Sequence, residues 1–100
     1  MVNPKLKDEL NTQLCNAVLK LENLEECYQL FEDSCTIGEL KAMAQRLEVA
    51  RMLQEKNTYE AIVERTGAST ATISRVKRCL NYGADGYSLV LERMKEAEEQ

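Results

Sequence analysis

An all-α fold of six helices is predicted for this 100-residue chain, and three observations predict it. Apolar residues recur every three or four positions in segment after segment, while no stretch shows the convincing two-residue alternation of a half-buried strand. Ser, Thr and Asn stand just before several of these segments, twice with Glu three residues later, as helix starts require. The only proline is Pro4, where it can open a helix without interrupting one.

The elements follow in order. Asn3 caps and Pro4 opens a first helix, on which Leu6, Leu10, Leu14, Ala17, Val18 and Leu21 make one apolar stripe. Asn23 with Glu26 forms a capping box for a short second helix carrying Leu24, Cys27, Tyr28, Leu30 and Phe31. The polar run from Glu32 to Cys35 breaks the pattern, and Thr36 with Glu39 forms a second box. Ile37, Leu40, Met43, Ala44, Leu47, Ala50 and Leu53 then mark a long central helix running to about Lys56. Thr58 starts a fourth helix with Ala61, Ile62 and Val63 on its apolar face. Gly67 ends it, because the chain must turn left-handed there, which costs a residue with a β-carbon about 1–2 kcal/mol. Ser69 caps a fifth helix whose Ile73, Val76 and Leu80 face inward. Asn81, Gly83 and Gly86 interrupt the chain before a last helix bearing Leu89, Val90, Leu91 and Met94. One domain results, with dimerisation helices at 1–35, the central helix at 36–57, a two-helix unit at 58–80 and the carboxy-terminal helix at 87–98.

The two-helix unit, TYEAIVERTGASTATISRVKRCL, has the layout of a DNA-reading helix-turn-helix. Opposite the inward face of its second helix lie Thr70, Ala71, Ser74, Arg75 and Arg78, with Lys77 beside them. Small side chains allow close approach to base edges and cations meet flanking phosphates, so Ser69, Thr70, Ala71, Thr72, Ser74, Arg75, Lys77 and Arg78 are the candidate DNA-binding residues. Charge supports this placement. The chain as a whole carries −4, yet residues 58–83 hold four cations against two anions, and 69–80 hold three cations and no acid. An anionic body that presents one cationic surface favours a single docking orientation on duplex DNA.

Other classes lack their parts. There is no histidine, and Cys15, Cys27, Cys35 and Cys79 are irregularly spaced without a CxxC, so neither a metal site nor a cofactor is expected. No glycine-rich phosphate loop and no cysteine paired to a base are present, which leaves no enzyme reading. With no signal peptide and no apolar run near the roughly 18 residues that cross a bilayer, a cytoplasmic protein is expected. At this length a helical monomer buries only about 60–70% of its unfolded surface, so dimerisation is the expected remedy. The alternative to DNA binding is a protein-interaction module whose basic helix meets an acidic partner.

GASTATISRVKR, the preceding TYEAIVERT, the helix ELKAMAQRLEVARML and the trailing NYGADGY together resemble the Trp repressor family, specifically its YerC/YecD-type branch, over about residues 5–95. The resemblance implies a six-helix intertwined homodimer that regulates transcription, with the fourth and fifth helices reading double-stranded DNA and repression as its output. It also implies an effector pocket. The two arginines that enclose the corepressor ring match Arg46 and Arg75, and Thr36 matches a pocket-lining residue. The pattern departs at Val76, where the repressor has glycine, and at Cys79, where it has serine. Val76 shares the inward face with Ile73, so its side chain is expected to fill the ligand's space, and tryptophan is not the expected effector. Glu60 and Val63 replace basic residues of the family's reader, so operator preference does not transfer.

Overall fold

The computed structural model describes residues 1–99, and their secondary structure is six α-helices and one short 3-10 turn, with no strand among the described residues. The helices are α1 (Glu9–Val18), α2 (Leu24–Ser34), α3 (Ile37–Gln54), α4 (Tyr59–Thr66), α5 (Thr70–Tyr82) and α6 (Gly86–Glu98). By contacts the chain divides within α3 into one unit of residues 2–41 and another that begins at Ala42.

In the amino-terminal unit the start of the chain differs from expectation. Asn3 and Pro4 open only a single 3-10 turn, Pro4–Leu6, and α1 begins afresh behind Asp8. Asp8 is in extended conformation and its Oδ1 accepts the Asn11 amide at 2.7 Å, while the Asn11 side chain donates to the Leu6 carbonyl at 2.8 Å. A carboxylate at the cap position takes over the orphan amides that a continuous helix would have used internally. The stripe is also cut short at its far end, because α1 stops at Val18 and Leu21 lies beyond it. At α2 the Asn23 Oδ1 accepts the Glu26 amide at 2.9 Å, and Glu26 reaches back to the Glu22 amide at 2.8 Å. The expected break from Glu32 to Cys35 shrinks, because α2 continues through Ser34 and only Cys35 turns extended. Polar residues without Gly or Pro are tolerable helix formers when they face solvent, and polarity alone was the wrong stop signal. Thr36 and Glu39 make the reciprocal capping box, at 2.9 and 3.0 Å. These bonds hold the Glu39 carboxyl below its ordinary range.

No residue from 2 to 41 is buried. Leu10, Leu14, Leu24 and Ile37 are all exposed, Ile37 at 80%. The core lies entirely in the second unit, where Val49, Ala50 and Met52 of α3 cluster with Ile62, Ala68, Ile73, Val76 and Leu91. The predicted single stripe on α3 missed Val49 and Met52. Only the carboxy-terminal half of α3 bears core residues, and there it buries more than one face.

α3 ends without glycine. Lys56 takes φ 66°, and the Asn57 amide and side chain both donate to the Met52 carbonyl at 3.0 Å, satisfying one of the helix's last acceptors. Asp85 similarly takes φ 67° ahead of α6, where a glycine was the expected turn residue. Gly83 serves a different purpose: a β-carbon there would collide with the Cys79 carbonyl, whose oxygen accepts the Gly83 amide at 2.8 Å.

Candidate nucleic-acid interface

α4 and α5 are joined by Gly67, Ala68 and Ser69. Thr58 Oγ1 accepts the Ala61 amide at 3.1 Å to start α4, and Gly67 ends it at φ 72° with its amide on the Val63 carbonyl at 2.8 Å. Ser69 Oγ then accepts the Thr72 amide at 3.1 Å to start α5. Of the three apolar residues on α4, only Ile62 is buried. Ala61 is half-buried and Val63 exposed, because consecutive helical residues point about 100° apart.

On α5, Ile73 and Val76 are sealed in the core and Leu80 is half-buried. Thr70, Ala71, Ser74, Arg75, Lys77 and Arg78 are all exposed. Ser69 and Thr72 are placed differently: their hydroxyls bond to each other at 3.1 Å and serve the helix cap, and Thr72 is half-buried. Among the described residues the ion pairs involve only Arg51 and Arg65, so Arg75, Lys77 and Arg78 carry uncompensated charge. Lys77 Nζ lies 5.8 Å from the centre of the Tyr59 ring, a cation–π contact between α5 and α4. α5 runs to Tyr82, two residues past the expected end, and Tyr82 is 85% exposed on the row continuing from Arg75 and Arg78. Its spacing of four from Arg78 was the signal that an earlier helix end concealed.

Arg65, counted with the reader's cations in the sequence, is engaged elsewhere. Its Nε donates to Glu48 at 3.1 Å, and Arg51 grips the same carboxylate at 2.6 and 2.9 Å while also reaching Glu55 at 2.6 Å. The hydrogen bond from Arg51, reinforced by Arg65, depresses the Glu48 pKa from 4.5 to about 2 against the opposing effect of burial. The carboxylate in turn raises the Arg51 pKa. Because the folded-state value is the lower one, this stabilisation is complete above about 4.5 and is lost as pH falls toward 2. Urea titrations between those limits are expected to show a steeper acid loss for the wild type than for Glu48→Gln; parallel curves would disprove the linkage.

The residues of the expected effector pocket are distributed as follows. Thr36, in the amino-terminal unit, commits its hydroxyl to capping α3. Arg46 is half-buried on α3 and enters no ion pair among the described residues. Arg75 and Cys79 are exposed on α5, and Val76, 2% exposed, is part of the core. No cluster of potential metal ligands occurs among the described residues, and no helix there is long and apolar enough to cross a membrane.

Comparison with known proteins agrees with this architecture. The family model described as Trp repressor protein matches residues 9–95. The uncharacterized protein YerC of Bacillus subtilis (strain 168) is 62% identical over 94 residues, covering 94% of this chain and 90% of that protein. A crystal structure of a TrpR like protein from Eubacterium eligens ATCC 27750 superposes with a TM-score of 0.89 at 57% identity, covering 93% of this chain and 96% of that one. A Staphylococcus aureus structure described as a putative Trp repressor also gives a TM-score of 0.89, at 49% identity and 95% coverage of each chain. With the helix order, the turn at Gly67 and a family match over most of its length, the chain belongs to the Trp repressor family.

Proposed function

We propose that the protein is a sequence-specific DNA-binding transcriptional regulator, a cytoplasmic homodimeric repressor without enzymatic activity. The observation that carries this reading is the division of α5 into a core face of Ile73 and Val76 and a solvent face of Thr70, Ala71, Ser74, Arg75 and Arg78 whose cations are unpaired among the described residues. α5 enters the major groove amino-terminus first, so that the small residues meet base edges and the cations meet phosphates. Hydroxyls and a methyl group provide few bidentate contacts, which leaves part of the specificity to duplex deformability.

The dimer is supported by Leu6, Leu10, Leu14 and Leu24, amphipathic in pattern yet exposed in a single chain. Two readers about 34 Å apart would then enter successive major grooves. Selection from random duplex DNA tests the whole reading: wild-type protein is expected to enrich one motif, and Thr70→Ala a different one. A Thr70→Ala that weakens every duplex equally removes Thr70 from base readout. Enrichment of nothing, even at low salt, favours a protein-interaction role, for which the exposed Glu60 and Val63 on α4 are the supporting feature.

Tryptophan is not the effector in this proposal. Val76 stands where the repressor has glycine, and its side chain is 2% exposed within the core cluster, where a glycine would leave space. Calorimetry with L-tryptophan is expected to give no saturable heat at micromolar concentrations; a saturable isotherm there would reverse this assignment.

A further inference from the structure

The last turn of α4 is held by two side chains of α3. Gln45 Nε2 donates to the Thr66 carbonyl at 3.0 Å, and Glu48 accepts from Arg65 at 3.1 Å. Residues three apart lie on one helix face, so Gln45 and Glu48 present both contacts together. Thr66 tightens the same turn: its hydroxyl donates to the Ile62 carbonyl at 2.7 Å and accepts the Ala68 amide at 3.1 Å. All of this converges immediately before Gly67, whose left-handed conformation sets the direction in which the chain departs for α5. Glu48 is itself immobilised, because Arg51 holds both of its oxygens.

We infer that Gln45 and Glu48 are positioning residues for the DNA reader, clamping the end of α4 and thereby fixing the angle at which α5 is presented. Arg65 then belongs to the clamp and not to the phosphate-contacting set. The Arg65 side chain is 68% exposed, so its contact adds little to the global stability that the Arg51–Glu48 pair already provides, and its consequence falls on preorganisation of the reader. The effect on DNA rests on the function proposed above, whereas the clamp itself does not.

The sign of one substitution separates the clamp from simple electrostatics. Glu48→Gln removes a negative charge, and charge alone would make it bind DNA more tightly. A clamp makes it bind more weakly, by up to about 5-fold. The test combines titration of a selected duplex at several salt concentrations with amide hydrogen exchange of residues 67–73 in the intact protein. Gln45→Ala is expected to speed that exchange roughly 5-fold, the worth of one net hydrogen bond, while the Leu91 amide is unchanged. Arg65→Gln is expected to weaken binding without altering the salt slope, Arg65→Lys to restore it, and the double variant Glu48→Gln/Arg65→Gln to lose no more than either single one. Tighter binding by Glu48→Gln, or a salt slope lowered by about one per protomer in Arg65→Gln, overturns the inference. If the wild type binds no duplex, the regulator reading fails, and unchanged exchange in Gln45→Ala and Glu48→Gln would separately overturn the clamp.

Discussion

Replacing Arg75 and Arg78 together by Ala is expected to lower affinity for every duplex by roughly 100-fold or more per protomer at moderate salt, since the two charge-assisted contacts of each protomer contribute at least about 1.5 kcal/mol each. The loss should be uniform across sequences, and the plot of log affinity against log salt should flatten by about two per protomer. Both side chains are exposed and unpaired among the described residues, so the fold loses nothing by their removal. Circular dichroism and thermal melting of the double variant should match the wild type. A variant that bound as tightly as the wild type, with an unchanged salt slope, would show that α5 is not the phosphate-contacting element.

Ile73→Ala is expected to have the opposite profile, a loss of fold before a loss of charge. Ile73 is fully buried in the cluster to which α3, α4, α5 and α6 contribute. Truncating such a residue costs about 2–5 kcal/mol, through lost transfer energy and the cavity left behind. That is a large share of the roughly 5–15 kcal/mol available to a domain of this kind. Urea denaturation should move the midpoint down at nearly constant slope. A shift worth less than about 1 kcal/mol would mean that the site collapses around the truncation, and that the core is less close-packed than its burial indicates.

What was legible in the sequence was local. Thr36 with Glu39, Thr58, Gly67 and Ser69 announce helix ends because the group that satisfies each orphan amide or turn lies within three or four residues of it. The inward face of α5 was legible for the same reason, since Ile73 and Val76 share a face by spacing alone. α1 starts behind Asp8 and not at Asn3, and spacing does not choose between the two because both side chains can cap a helix. Lys56 and Asp85 adopt left-handed turns that glycine would have advertised and they did not. Burial of Val49 and Met52 depends on several helices meeting the end of α3, a tertiary fact with no one-dimensional period. Arg65 is the sharpest case within the site. It read as one more cation of the reader, and its partner Glu48 lies 17 residues away on another helix.

The confinement of the core to residues 49–91 bears on how the protein is made. Translation proceeds at about 5–20 residues per second, so residues 2–41 leave the ribosome roughly 2–10 seconds before the last core side chain does. During that interval the nascent chain displays Leu10, Leu14 and Leu24 with no apolar interior of its own to shelter them. Chaperone demand and the hazard of clumping on polysomes are therefore expected to concentrate in residues 2–41, two-fifths of the sequence, and slowing elongation should increase both.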